Sequence, residues 1–226
     1  IVVVRAHDNK DFWITLLNCK NGNIKPLYRY HDEAWIGVSF WRLNRYMGWL
    51  TDSRRIWFQS EESGYNHLYT LDVETGTKKQ LTQGEFEIYS PRISGDSKYW
   101  YFSANKVHPG ERHFYRMNLD GSHLIQITRK TGSNRVYMSP DEKTLAVLYS
   151  YTNKPWELFL MPNKPGAKMN PITHSVSKEF LSYPWRDPEI VTFKARDGAQ
   201  VYGRLYRAKN PQPNGPAVIF VHGAGY

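Results

Sequence analysis

A repeat of about 45 residues runs through most of this chain, and a repeat of that length leaves few folds open. "TDSRRIWFQSEESG" from Thr51, "SGDSKYWYFSANKV" from Ser94 and "SPDEKTLAVLYSYTN" from Ser139 each set an aspartate in a polar turn ahead of an apolar or aromatic strand. Asp52, Asp96 and Asp141 stand 44 and 45 positions apart. Each strand is followed by another with its own hairpin partner, in "NHLYTLDVETGTKKQLT", "RHFYRMNLDGSHLIQIT" and "WELFLMPNKPGAKMNPIT". These stretches end on Thr82, Thr128 and Thr173, 46 and 45 positions apart. Leu68, Thr70 and Asp72 alternate with the period of a strand, and Glu74-Thr75-Gly76 and Asp120-Gly121 supply hairpin turns. Residues 1–29 match the later part of one more unit.

Several short strands in each unit, with no 3.6-residue periodicity, point to blades of a β-propeller, whose four-stranded sheets bury their faces against one another. The fold class expected is mainly β: a partial propeller of about four blades, one incomplete, belonging to a larger ring. The 16 Tyr, 10 Phe and 8 Trp suit that class, because aromatic side chains pack well on a pleated surface. Trp49, Trp57, Trp100 and Tyr101 lie on or near these strands and read as packing between blades rather than as ligand stacking.

The formal charge of +9 raises nucleic acid as a partner. The basic residues are scattered, however, with Arg54-Arg55, Lys78-Lys79 and Arg129-Lys130 the densest groupings. A nucleic-acid surface shows a clustered stripe or a known motif, so no nucleic-acid partner is expected. Cys19 stands alone, which rules out an internal disulfide and a multi-cysteine zinc site. No run reaches the roughly 20 apolar residues of a membrane span. The chain opens on an apolar "IVVV" and both ends read as cut from something longer; periplasmic, secreted and cytoplasmic locations all fit.

After Thr173 the repeat stops. "HSVSKEFLSYPWRDPEI" reads as a connector, which sets the expected domain boundary at 183/184. "EIVTFKARDGAQVYGRLYRAKNP" alternates on both sides of Asp197-Gly198, a hairpin signal. A Pro- and Asn-rich loop, residues 210–216, leads to "AVIFVHGAGY". Hairpin, loop, apolar strand and glycine turn look like the opening of an α/β-hydrolase domain.

"WFQSEESGYNHLYTLDVETGTKKQLTQGEFEI" resembles the propeller of the dipeptidyl-peptidase IV branch of the prolyl oligopeptidase family. The pattern is a Ser-Glu-x-x-Gly-aromatic-x-His-Leu-Tyr strand, a Gly hairpin, Gln-Leu-Thr and Gly-x-aromatic-Glu in a later blade. The resemblance extends over nearly the whole chain. It implies a parent serine peptidase, a dipeptidyl-peptidase or oligopeptidase, whose propeller admits peptides by size to an α/β-hydrolase site. It also implies no metal or organic cofactor; the partners are peptide substrates, the rest of the catalytic domain and, in the full enzyme, a second copy as a homodimer.

In that fold the loop after the third strand helps build the oxyanion hole, from backbone N–H groups freed by a tight turn. His222, Gly223, Ala224, Gly225 and Tyr226 occupy that place here. Many family members open the turn with a tyrosine whose hydroxyl serves the oxyanion; His222 takes that position, so either His222 braces the loop or Tyr226 supplies the hydroxyl. The nucleophile, Asp and His follow this strand in order, so the triad is expected beyond Tyr226 and this fragment alone is expected to be inactive. Gly95-Asp96-Ser97-Lys98-Tyr99 lacks the last glycine of a nucleophile elbow and falls in a propeller turn.

Glu61-Glu62 invites comparison with the paired glutamates that hold a substrate's amino terminus in dipeptidyl-peptidase IV enzymes. The family's pair lies on an insertion in an early blade, so loop carboxylates are the preferred reading. His108, His113 and His123 lack the i, i+4 spacing or cysteine partners of a metal site. Residues 33–49, rich in aromatics, read either as a connection between blades or as pocket wall. The rival function is a non-catalytic binding or scaffold propeller with an inactive hydrolase-like domain.

Overall fold

A computed structural model describes residues 1–37 and 47–221. The chain divides into two compact units, one of Ile1–Tyr151 with Pro155–Ser175, the other of Thr152–Lys154 with the segment from Val176 onward. The first unit is nearly all β, a succession of antiparallel sheets consistent with a partial propeller. Strands β1 (Val2–Arg5), β2 (Asp11–Leu17) and β3 (Ile24–His31) form a three-stranded sheet, the incomplete unit. Three four-stranded meanders follow. The second sheet holds β4 (Met47–Trp49), β5 (Arg55–Ser60), β6 (His67–Asp72) and β7 (Lys78–Gln80). The third holds β8 (Ile88–Ile93), β9 (Tyr99–Ala104), β10 (His113–Asn118) and β11 (Ile125–Gln126). The fourth holds β12 (Ser133–Met138), β13 (Thr144–Tyr151), β14 (Lys154–Pro162) and β15 (Asn170–Pro171).

The repeated aspartates do one job. Each accepts backbone N–H groups two or three residues on: Asp52 Oδ1 from Arg54 and Arg55 at 3.0 and 2.9 Å, Asp96 Oδ1 from Lys98 at 3.2 Å, Asp141 Oδ1 from Lys143 at 3.1 Å. The residue after each aspartate is left-handed, with φ of 54° at Ser53, 57° at Ser97 and 59° at Glu142. A short carboxylate that mimics a backbone acceptor fixes such a turn, and with it the register of the first two strands. Asp8 and Asn9 build the same turn between β1 and β2, with Lys10 N on Asp8 Oδ1 at 3.0 Å and φ of 62° at Asn9.

The repeated threonines also share a role. Thr82, Thr128 and Thr173 Oγ1 accept the backbone N–H of Leu68, Phe114 and Leu158 at 3.0, 2.9 and 2.8 Å. Each hydroxyl therefore ties the end of a unit back to its third strand, satisfying a donor that the short fourth strand leaves without a ladder partner.

Because adjacent residues of a strand point to opposite faces, each middle sheet supplies two cores. Ile56, Phe58, Tyr69 and Leu71 pack against Phe12 and Ile14 of the first sheet. Trp57 and Leu68 turn the other way, toward Trp100, Phe102, Tyr115 and Met117 of the third. From that sheet's far face, Tyr101 and Phe114 meet Leu145, Val147 and Tyr149 of the fourth. Trp57, Trp100 and Tyr101 are buried as the sequence suggests, whereas Trp49 is 41% exposed. It sits on the three-residue strand β4, whose Gly48 instead faces Trp57: a Cβ there would come within 2.7 Å of the indole Nε1.

Within residues 33–49, Ile36 is fully buried in the core of the first two sheets, and its carbonyl accepts Arg5 Nη2 at 3.1 Å. That favours a connecting role for this part of the segment; residues 38–46 lie outside the described residues.

The second unit carries the short helix α1 (Lys178–Ser182), where Ser177 caps the Phe180 N–H, and the hairpin β16 (Glu189–Lys194) and β17 (Gln200–Leu205). Gly198, at φ 89°, turns the hairpin at the Asp-Gly pair.

Candidate functional site

Glu61 and Glu62 follow β5 and have separate partners. Lys78 Nζ donates to both oxygens of Glu62 at 2.6 Å, and the Tyr28 hydroxyl donates to Glu62 Oε2 at 2.6 Å. The same ammonium lies 4.7 Å from the Tyr28 ring centre and 5.6 Å from that of Tyr69. Burial and the neighbouring Glu62 carboxylate push the Tyr28 phenol well above its ordinary range, so it remains a donor. Glu61 Oε2 accepts the Gly37 N–H at 3.0 Å. An ammonium arriving at Glu62 therefore meets a carboxylate already neutralised by Lys78. The arrangement binds the first sheet to the second.

The histidines are dispersed over separate turns and strands. His67 is buried between the Thr82 hydroxyl, 3.0 Å from Nδ1, and the Gly84 carbonyl, 2.9 Å from Nε2. A carbonyl can only accept, so Nε2 carries the proton and Nδ1 accepts from Thr82. Burial holds this imidazole below its ordinary pKa. His113 Nε2 meets Glu111 Oε2 at 2.8 Å. His108 Nδ1 accepts the Gly110 N–H at 3.0 Å, and His123 Nδ1 lies 3.1 Å from Asn118 Nδ2. Among the described residues, no three His, Cys, Asp or Glu converge on a point where a metal ion could sit.

The pocket that stands out chemically lies between the third and fourth sheets. It has a volume of about 500 Å³ and is lined by Tyr89, Ser103, Arg112, Ser133, Asn134 and Arg135, among others. Its floor is built by a parallel bridge between Arg112 and Ser133: Arg112 N donates to Gly132 O, and Asn134 N to Arg112 O, both at 3.0 Å. Asn134 is fully buried, and its Nδ2 serves the carbonyls of Arg112 and Lys130 at 2.9 Å and that of Gly132 at 3.4 Å. Its Oδ1 is buried without a hydrogen-bond partner. The Arg112 guanidinium is 4.5 Å from the Tyr89 ring centre, with Nη1 on the carbonyls of Pro109 and Glu111 at 2.9 and 2.8 Å.

Sequence reasoning passed over this pocket. Arg112 and Asn134 are 22 residues apart, one just ahead of β10 and the other near the start of β12, and the parallel bridge brings them together. The available signal was a glycine two residues before each, in "GER" and "GSN".

The expected oxyanion residues, His222, Gly223, Ala224, Gly225 and Tyr226, lie outside the described residues. The run ahead of them is described: Val218, Ile219, Phe220 and Val221 are 95, 87, 82 and 87% exposed. The strand expected for this run is not formed: residues 216–221 have no regular secondary structure, since an apolar run of this kind becomes a strand only where neighbouring strands pair with it and cover its faces. No helix among the described residues is long and apolar enough to cross a membrane.

Comparison with known proteins gives these features a context. Residues 2–156 match the family model described as the dipeptidyl peptidase IV N-terminal region. The dipeptidyl-aminopeptidase B of Aspergillus niger is 29% identical over 131 residues, covering 49% of this chain and 14% of that protein. Dipeptidyl peptidase 4 of Arthroderma otae is 27% identical over 175 residues, covering 73% of this chain and 22% of that protein. A probable dipeptidyl-aminopeptidase B of Aspergillus oryzae is 32% identical over 102 residues, covering 43% of this chain and 11% of that protein. The chain thus spans less than a quarter of the length of these relatives. With the family pattern extending over most of its length and over the repeated sheets, this chain belongs to the dipeptidyl peptidase IV-like branch of the prolyl oligopeptidase family.

Proposed function

We propose that this chain is part of a serine peptidase of the prolyl oligopeptidase/dipeptidyl-peptidase IV type. In this reading residues 1–183 are propeller blades that gate peptide access, and residues 184–226 open an α/β-hydrolase domain. The family match over residues 2–156 carries the proposal. It is supported by relatives that bear dipeptidyl peptidase names. The second unit adds support through its Asp-Gly hairpin and the exposed apolar run 218–221, which needs neighbouring strands to cover it.

The reaction is acyl transfer. A serine beyond Tyr226, activated by a histidine that an aspartate orients, attacks the scissile carbonyl, and the 222–226 turn stabilises the oxyanion through backbone N–H groups. Which donor completes that hole, the Tyr226 hydroxyl or the backbone alone with His222 as brace, is decided by Tyr226→Phe in the full enzyme. Loss of kcat at unchanged KM assigns the hydroxyl to the transition state.

The gene sequence following Tyr226 is the first test, and Gly-x-Ser-x-Gly followed by Asp and then His is expected there. Next, the complete protein should release a fluorophore from an Xaa-Pro dipeptide substrate. No triad and no turnover on short peptides would leave a binding propeller with an inactive hydrolase-like domain.

A further inference from the structure

The geometry points to a peptide-binding site in the first unit: the pocket between the third and fourth sheets takes the carboxy-terminal end of a short peptide. Two cations, Arg112 and Arg135, line it, and no carboxylate does. The nearest acid in sequence, Glu111, is engaged by His113. Arg112 spends Nη1 on two carbonyls, which fixes the plane of the guanidinium, and it rests against Tyr89. Nε and Nη2 have no hydrogen bond among the described residues, so an edge of the guanidinium remains for an anion. Planar guanidinium edges match carboxylates bidentately.

Asn134 supplies the second half of the recognition. Its Nδ2 hydrogens are consumed by three carbonyls, which fixes the amide's orientation and leaves Oδ1 as a buried acceptor without a donor. Leaving such a group unsatisfied is costly, so a native structure that retains one invites a ligand donor. The hydroxyls of Ser103 and Ser133, which also line the pocket, have no hydrogen bond among the described residues. A ligand suited to this lining carries a negative group beside an N–H. A peptide's terminal carboxylate and the amide N–H of the same residue meet that description, and a volume of about 500 Å³ accommodates a dipeptide. Choosing a peptide over other carboxylates bearing an N–H rests on the peptidase reading.

The test is calorimetric titration of the full chain with acetyl-Ala-Ala acid, its carboxy-terminal amide, and the analogue N-methylated on the last alanine. Binding of the acid is expected, with the amide weaker by about tenfold or more and the N-methyl analogue weaker by several-fold. Arg112→Gln and Arg135→Gln should each weaken the acid and leave the residual amide affinity unchanged. Arg135 is exposed, so its variant keeps the question open to measurement should Arg112→Gln unfold. Equal affinity for acid and amide, no binding of the acid at millimolar concentration, or competition by acetate as effective as that by the peptide would overturn the proposal. Since the titration involves no turnover, absence of a triad after Tyr226 would sink the peptidase reading without altering the acid-to-amide contrast.

Discussion

Trp57 of the second sheet and Trp100 of the third meet edge to face, with ring centres 5.4 Å apart and planes at 73°. The pair forms the middle of the core between those sheets, and Gly48 leaves room for the Trp57 indole. Trp100→Ala removes a fully buried side chain and should cost about 3–5 kcal/mol. Chemical denaturation of the wild type and variant, compared at constant m, measures it.

Gly48→Ala approaches the same core from the other side. Trp57 is an inflexible ring seated among buried neighbours, so the added methyl forces a displacement costing about 1–3 kcal/mol. A variant as stable as wild type would mean that β4 yields without disturbing the indole. The loss should shrink in a Trp57→Leu background, which a double-mutant cycle would register.

Thr128→Val keeps the shape of the side chain and removes the acceptor of the Phe114 N–H, stranding a buried donor. The expected loss is about 1–3 kcal/mol. Thr173→Val, in an exposed setting where water can replace the hydroxyl, should lose less. Equal losses at the two sites would contradict the burial argument.

His67 gives the fold a pH dependence of definite sign. Burial lowers its folded pKa beneath the ordinary 6.5, so the unfolded chain binds the proton more readily. The stability from burying the neutral ring is complete above pH 6.5, declines as the pH falls from there toward the folded pKa, and levels off below it. His31 has the opposite sign: its pKa is raised by the Glu33 and Asp11 carboxylates, so its contribution is present below 6.5 and lost as pH rises through the folded value. Thermal midpoints of wild type and His67→Asn between pH 5 and 8 isolate the first effect. A difference independent of pH would refute it.

Glu62→Gln separates a structural from a substrate-binding role. Lys78 and Tyr28 lose a partly buried charged partner, with an expected cost of about 1–2 kcal/mol, between the values for exposed and buried pairs. If the complete protein is the peptidase proposed above, its KM for an Xaa-Pro substrate with a free amino terminus should stay within about twofold, because weakened binding would appear there. A large rise in KM with unchanged stability would instead make Glu62 a substrate ligand.

The repeat was legible because recurring backbone problems demand recurring residues. A tight first turn calls for Asp52, Asp96 and Asp141, and a short fourth strand calls for Thr82, Thr128 and Thr173. The burial of Trp57, Trp100 and Tyr101 followed from their place on strands of the repeat, but Trp49 misled: it lies on a three-residue strand and is left partly exposed. The partners of Glu62 were hidden because Tyr28 and Lys78 come from different sheets, 34 and 16 residues away. The Arg112–Asn134 pocket was hidden likewise, since nothing local distinguishes its residues from ordinary loop polarity.

Sheets buried on both faces have a thermodynamic consequence: none of them is a self-sufficient folding unit. Each draws its stability from the neighbours on either side, as in a one-dimensional array governed by nearest-neighbour coupling. In this 226-residue chain taken by itself, opening should therefore begin at the first and fourth sheets and advance toward the second and third. Amide hydrogen exchange would then grade along the chain, slowest at β5, β6, β9 and β10, where Phe58, Leu68, Trp100 and Met117 are almost wholly withdrawn from water.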